Sequence, residues 1–312
     1  MIKNKKIAVV IPAYKVVGLL KNVVLSLPDF IDSIIVIDDK CPSESYKTVE
    51  DLKNVIIIRH DSNQGVGGAV ISGYKKALEL DADIVVKIDG DGQMDSNKIH
   101  KLIKPILESN ADYTKGNRFR DFHALNSMPK IRLFGNSILS FLIKFASGYW
   151  SIMDPTNGFI AISKESLEEL DLENLSKRYF FESDMLIYLN INNKIVEDVS
   201  IPAQYGEETS SLSIKQVLYQ FPPKIVKGFL KRIFLKYYIY DFNMGSIYML
   251  FGVPLVIFGV IFGGIKWIEA INKGIDTSTG TVMLSVLSII LGVQFLLQAI
   301  NIDIMNEPKS KK

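Results

Sequence analysis

The chain holds little that would let chemistry rest on sulfur or imidazole. Its 312 residues include one cysteine, Cys41, and three histidines. A single cysteine excludes an intramolecular disulfide and any multi-cysteine zinc site, and it suits a reducing compartment. His60, His100 and His123 have no recognisable catalytic setting and are expected at the surface or in loops. Charge of one sign is also scarce. The formal net charge of +2 is too small to argue for a nucleic-acid partner. The N-terminus, Met-Ile-Lys-Asn-Lys-Lys, leads directly into a strand pattern and lacks the apolar core and cleavage site of a signal peptide. The Asn174-Leu-Ser176 sequon is therefore expected to be idle.

Charge is missing altogether from two stretches, Met244 to Ile265 and Thr281 to Ile302. Each is about 22 residues, or roughly 33 Å as helix, enough to cross a bilayer core. Pro254 and the scattered glycines are tolerated in such helices. The polar stretch Glu269–Gly280 between them makes the pair read as a transmembrane hairpin, with spans at about 244–267 and 281–302. Lys215, Lys224, Lys227, Lys231, Arg232 and Lys236 precede the first span, and Lys309, Lys311 and Lys312 follow the second. The positive-inside rule then puts the N-terminal part and the C-terminal tail, residues 304–312, in the cytoplasm. Either span could pair with a neighbouring copy through its small residues.

Among what is present, Ile84–Gln93 stands out: a β-branched run that ends in Asp89-Gly-Asp91-Gly-Gln93. Carboxylates at i and i+2 point to the same side of an extended chain. Hard oxygen ligands with room for water suit Mg²⁺ or Mn²⁺. Taken alone, the motif reads equally well as a solvated Asp-Gly turn.

The preceding residues alternate strand and helix. Strands are expected at Lys6–Ile11, Ser33–Ile37, Val55–Ile58 and Ile84–Ile88. Helices are expected at Gly18–Leu27, Ser45–Leu52 and Val70–Leu80. This alternation predicts an α/β fold with a mostly parallel sheet covered on both faces. Ligands of such sheets bind beyond the carboxyl ends of the strands, where Pro12–Tyr14, Asp38–Asp39 and Asp89–Asp91 all fall. The glycine-rich Gly65-Val-Gly-Gly68 lacks dinucleotide-fingerprint spacing. It reads either as a tight turn or as a helix N-terminus that accepts negative charge, at the rim of the site.

Several ordered motifs together resemble family-2 glycosyltransferases of the GT-A fold. They are Val-Val-Ile-Pro-Ala-Tyr near the start, Asp38-Asp39, Asn63-x-Gly-x-Gly-Gly-Ala, Asp-Gly-Asp-Gly-Gln, Lys115-Gly-Asn-Arg118-Phe, Asp154-Pro-Thr-Asn-Gly-Phe159 and Phe181-Glu-Ser-Asp184. With two C-terminal spans, the chain is similar to the polyprenyl-phosphate branch, such as dolichyl-phosphate mannose synthases and bacterial undecaprenyl-phosphate glycosyltransferases. The resemblance implies a GT-A domain over 1–212, juxtamembrane amphipathic helices over 213–243, broken at Pro222-Pro223, and the spans within 244–303. It also implies a prokaryotic plasma-membrane location and a nucleotide-sugar donor.

The same resemblance implies roles for individual residues. Pro12, Ala13, Tyr14, Asp39 and Gly67 would contact the nucleotide. Asp89, Asp91 and Gln93 would hold the cation, with Asp89 also near the ribose. Glu182 and Asp184 would lie beside sugar and acceptor. Arg118 and Arg132 would grip the acceptor phosphate, with Asn136 nearby and Arg120 and Lys130 as lesser candidates. The implied reaction is an inverting, metal-dependent hexose transfer from a UDP- or GDP-sugar to a polyprenyl phosphate. Other readings are a transferase acting on another lipid or glycan, a nucleotidyltransferase, and a catalytically weak membrane scaffold. Lys15-Val16 replaces the family's usual Asn-Glu, and Gly206-Glu-Glu208 departs from its basic juxtamembrane motif.

Overall fold

The chain's structure is a computed structural model that describes residues 2, 4–118, 130–201 and 214–310, with the side chains of 130–134, 136 and 214–218 outside the described set. It divides into two compact units, Met1–Arg232 with Pro308–Lys312, and Ile233–Glu307.

The first unit is built on the β-branched runs. Strands β1 (Ile7–Ala13), β2 (Ser33–Asp38), β3 (Val55–Arg59), β4 (Ile84–Lys87), β5 (Tyr113–Asn117), β6 (Ile160–Ser163) and β7 (Val196–Ser200) form one sheet in the order β3-β2-β1-β4-β6-β5-β7. The pairings β2–β3, β1–β2, β1–β4 and β5–β7 are parallel, and β6 runs antiparallel to both neighbours. β1, β2 and β4 are almost wholly buried, which explains their continuous apolar character. One face is covered by α1 (Val17–Leu25) and α3 (Ile99–Glu108), whose Leu20, Val23, Val24, Leu102 and Ile103 pack on Val9, Ile11, Val36 and Val86. Helix α2 (Val66–Glu79) packs against β1 and β2. The chain order turns back between β3 and β4, so the carboxyl ends of β1, β2 and β4 meet at a switch point.

Three local expectations are corrected. α2 begins at Val66, not Val70, because its small glycine-rich first turn is held by neighbours described below. Ser45–Leu52 forms only a short 3₁₀ turn, Ser45–Thr48, reached through Glu44 at φ 45°. Pro222-Pro223 does not break its segment: one helix covers Ile214–Phe234. Each proline removes a backbone donor, but Phe221 and Ile225 on either side of the pair are buried. The Phe221 ring meets Phe180 edge-on with centroids 5.2 Å apart.

Helices α4 (Lys130–Ser147), α5 (Lys164–Glu168), α6 (Phe181–Ile191) and α7 (Ile214–Phe234) complete this unit's helices in chain order. Arg232 of α7 is fully buried and donates from Nε to the Ala146 carbonyl (2.8 Å) and from Nη2 to that of Phe145 (3.1 Å). It satisfies carbonyls that the end of α4 would otherwise leave orphaned.

The second unit is a helical hairpin, α8 (Met244–Lys273) and α9 (Thr279–Met305). Both helices are long and apolar enough to cross a membrane, each with a mean hydropathy of 2.2. Only 11% and 17% of their apolar windows are buried, whereas a core helix would be mostly buried. Leu250, Phe251, Ile257, Val260 and Ile261 face outward, while Gly252, Gly259, Ser285, Ser288 and Gly292 are buried. A Cβ on Gly259 would lie 2.8 Å from the Ser285 carbonyl, and one on Gly292 would lie 2.8 Å from the Val256 amide. The small residues are therefore spent on the hairpin's own seam, where close backbone approach replaces hydrophobic drive. Ser285 Oγ donates to the Gly259 carbonyl (2.8 Å) across it.

Candidate active site

At the switch point lies a cavity of about 470 Å³. Pro12, Ala13 and Tyr14 line it from the end of β1, Asp39 from the end of β2, and Lys87, Asp89, Gly90 and Asp91 from the end of β4. Asn63 and Gly65 come from the loop before α2, Val66 and Ala69 from its first turn, Arg178 and Tyr179 from the chain leading into α6, and Glu182 from the first turn of α6. The structure thus brings most of the sequence-nominated donor residues together.

Asp39 is held from three directions. Its Oδ1 accepts from the Gln64 amide (2.8 Å) and lies 2.8 Å from His60 Nδ1, while Oδ2 accepts from the Gly65 amide (2.8 Å). His60 Nε2 is 2.8 Å from Ser72 Oγ. His60 lies in the loop that follows β3, as expected, but its side chain is only 6% exposed and braces Asp39 rather than facing solvent. A carboxylate offers about four acceptor positions, and three are used, which leaves Asp39 one for a ligand. Asp38 serves the fold: it is buried and accepts from the Cys41 amide at 3.0 Å.

The glycine-rich entry to α2 lies at the rim of the cavity, and its amides meet a carboxylate of the chain itself. Two of its amides are spent on Asp39, and that of Gly68 donates to the Lys177 carbonyl (2.9 Å). Gly67, expected at the nucleotide, is absent from the cavity lining. A Cβ there would lie 2.3 Å from the Ser176 carbonyl and 2.8 Å from Phe181 Cβ. Its glycine lets the 176–181 segment press onto α2, and that segment carries Arg178 and Tyr179 to the cavity and leads directly to Glu182.

Beyond β4 the chain turns at Gly92, whose φ of 76° favours glycine. The Gln93 amide donates to Asp91 Oδ1 (3.0 Å), and Gln93 itself does not line the cavity. Asp89 Oδ1 lies 2.7 Å from the ammonium of Lys87. Among the described residues no three His, Cys, Asp or Glu side chains gather as a ready-made cage for a metal ion. Two hard carboxylates on an open cavity nevertheless fit a Mg²⁺- or Mn²⁺-type cation, which takes one or two protein carboxylates and completes its shell from water and phosphate.

Glu182 and Asp184, both in the first turn of α6, part company. Glu182 lines the cavity; Asp184 does not. Asp184 Oδ2 accepts from the Ser176 amide (2.8 Å), and burial pushes its carboxyl above the usual range. Through that bond it anchors the loop that leads to Glu182.

Arg118, expected at the acceptor phosphate, is held by a carboxylate of the chain. Its Nε and Nη2 donate to Asp154 Oδ2 (2.7 Å) and Oδ1 (2.9 Å) in a bidentate pair. Asp154 is fully buried, so two of the five guanidinium donors are committed to compensating it. Nearby Lys115 is also fully buried and donates to the Asn157 carbonyl. Burial pushes its ammonium down to about 8, against the opposing fields of Glu182 and Asp154. The side chains of Arg132 and Asn136, on α4, and residues Arg120, His123 and 206–208 lie outside the described set, as does the Lys130 side chain.

Sequence reasoning missed Lys87, His60, Asn63, Arg178 and Tyr179 as parts of this site. Lys87 left a signal: a lysine inside an otherwise apolar strand, two residues before Asp89 and so on the same side. Arg178 left none, because its proximity to Gly65 is created only by folding.

Residues 8–171 match the profile of glycosyl transferase family 2. Among curated relatives, the UDP-N-acetylglucosamine–dolichyl-phosphate N-acetylglucosaminyltransferase of Methanococcus voltae is 36% identical over 221 residues, 65% of this chain and 88% of the relative. The dolichol-phosphate mannosyltransferase of Pyrococcus furiosus is 26% identical over 209 residues, 64% of this chain and 56% of the relative. Among solved structures, the UDP complex of glucosyl-3-phosphoglycerate synthase from Mycobacterium tuberculosis aligns with a TM-score of 0.56 at 17% identity, covering 73% of this chain and 80% of that one. At that identity the likeness is one of fold, a GT-A-type domain.

Proposed function

The chain belongs to glycosyl transferase family 2, and from that premise we propose that it moves one sugar from a nucleoside diphosphate sugar to the phosphate of a polyprenyl lipid. The observation that carries this is the cavity at the switch point, where Asp39, Asp89, Asp91 and Glu182 converge. The relative from Methanococcus voltae, whose name states transfer of N-acetylglucosamine from UDP to dolichyl phosphate, supports the lipid acceptor and favours a UDP-sugar.

In this reading Asp39 receives one N–H of the base with its remaining acceptor position. Pro12, Ala13 and Tyr14 flank base and ribose. Asp89 and Asp91 would hold a divalent cation, which when bound neutralises charge on the departing diphosphate. Arg178, among the described residues the lining cation without a carboxylate partner, faces the same anionic ligand. The acceptor needs no strong general base, because a phosphate monoester with a second pKa near 6 is already anionic at neutral pH. Its oxygen attacks the anomeric carbon in line, the bond from that carbon to the diphosphate oxygen breaks with its electron pair, and configuration inverts. In this reading Arg132 and Asn136, one turn apart on α4, serve the acceptor phosphate together with Arg118, which Asp154 rigidifies.

The hairpin is assigned to the membrane with the first unit on its cytoplasmic side, following the flanking lysines. On α7 the outward Tyr219, Val226, Lys227 and Leu230 suit the headgroup boundary. The test is nucleoside diphosphate release by the full chain with Mg²⁺ or Mn²⁺, across UDP- and GDP-sugars, with and without dolichyl or undecaprenyl phosphate. Release with one donor that depends on the lipid is expected. Lipid-independent release, or pyrophosphate instead, would refute the reading.

A further inference from the structure

Lys87 is the most deeply buried cation touching the cavity, with a side chain 1% exposed. Its ammonium lies 2.7 Å from Asp89 Oδ1 and 3.4 Å from Glu182 Oε1. One cation thus bridges the two carboxylates that reach the cavity from β4 and α6, 95 residues apart in sequence from lysine to glutamate. A buried ammonium is tolerated only with such compensation, and the carboxylates in turn lose the freedom to reorient.

The space for this ammonium is made by Gly158. A Cβ at that position would lie 2.2 Å from Lys87 Nζ and 3.0 Å from Asp89 Oδ2. Both neighbours belong to the same ion pair, so any side chain at 158 would push the clamp apart. The Asp154-Pro-Thr-Asn-Gly158 motif therefore carries a glycine whose physical purpose is to admit the lysine. On charge, the cavity lining counts Asp39, Asp89, Asp91 and Glu182 against Lys87 and Arg178. A diphosphate would meet uncompensated repulsion if Asp89 and Glu182 were not already paired.

We infer that Lys87 is a positioning residue for the donor site. It fixes Asp89 through Oδ1 and Glu182 through Oε1, so that Asp89 Oδ2 stays outside the ion pair for cation and donor, and Gly158 is the cradle this arrangement requires. The inference rests on reading the cavity as a metal-assisted nucleotide-sugar site.

The test is calorimetric binding of UDP and GDP to the detergent-solubilised full chain, with Mn²⁺ and with chelator. It compares wild type, Lys87→Met, Gly158→Ala and the double variant, each checked by its thermal midpoint. Lys87→Met and Gly158→Ala should each weaken Mn²⁺-dependent binding about tenfold or more, as loss of outer-shell support does, while metal-free binding changes less than about twofold. The double variant should be no weaker than the weaker single, because both changes dismantle one device. If Lys87→Met does not fold, Gly158→Ala, which keeps every charge, decides alone. A folded variant with wild-type Mn²⁺-dependent affinity, or equal loss with and without metal, overturns the positioning role. Wild type that binds neither nucleotide with Mn²⁺ overturns the donor-site reading, and the clamp falls with it.

Discussion

The two units of this chain differ in what they do with their apolar residues. In the first, Lys87, Lys115, Asp154 and Glu182 lie at the sheet's carboxyl edge with at most 8% of each residue exposed, every one of them facing a charged or polar partner. In the hairpin the seam where α8 and α9 meet is glycine and serine, while leucine, isoleucine and phenylalanine face outward. The buried carboxylate of Asp303 lies near the end of α9, where it accepts from the Tyr237 hydroxyl (2.7 Å). An aqueous domain gains about 25 cal/mol per Å² by hiding apolar surface, which lets it afford a few compensated charges where chemistry needs them. A hairpin in lipid has no such gain to draw on, and its helices meet by close backbone contact. The hydrophobic residues serve packing in one unit and solvation in the other.

The contrast can be broken at either end. The largest effect is expected at the cavity: Asp91→Asn should lower turnover by about 100-fold or more, in line with losing a transition-state charge partner, with the thermal midpoint unchanged. Next, Arg118→Ala should destabilise the first unit by on the order of 3 kcal/mol in chemical denaturation, since it strands the buried Asp154 carboxylate. Arg118→Lys should restore only part, lacking the planar fork. In the hairpin, Gly259→Leu should cost about 2 kcal/mol through overpacking, read as a lower thermal midpoint. Gly264→Leu, where a new Cβ meets nothing within 4 Å, should be near neutral. If both were neutral, the seam would not depend on close approach.

The smallest effect concerns pH. Burial lowers Lys115 from 10.5 to about 8, so between those values the unfolded chain binds the extra proton. Stability should therefore rise with pH from about 8 towards 10, by about 1 kcal/mol at pH 9. Below pH 8 both states are protonated and the gain is absent. Lys115→Met should remove this rise when its unfolding is compared with wild type at pH 7.5 and 9.

Much of this was legible from residue order because strand ends announce themselves. Pro12–Tyr14, Asp39 and Asp89–Asp91 each terminate an apolar run, and parallel-sheet topology brings such ends to one place. The spans were legible because uncharged length is a local property. What escaped depends on contacts distant in sequence. His60 braces Asp39 and Lys87 bridges to Glu182 only once the sheet has assembled. Asp184 is indistinguishable from Glu182 by motif, yet helical geometry turns one to the cavity and the other to the Ser176 amide. The glycines at the start of α2 matched an anion-binding start, but the Gly65 amide goes to Asp39 and that of Gly68 to the Lys177 carbonyl. Pro222-Pro223 failed as a break because burial of Phe221 and Ile225 outweighs two lost donors.

The most direct test is the identity of the lipid product. The purified full chain would be incubated with a panel of UDP-sugars, Mg²⁺ and dolichyl or undecaprenyl phosphate, and the lipid analysed by mass spectrometry. The account predicts a lipid heavier by one sugar residue, matched by released UDP and absent with Asp91→Asn. A lipid heavier by a sugar phosphate with release of UMP, or UDP release with the lipid unchanged, would contradict it.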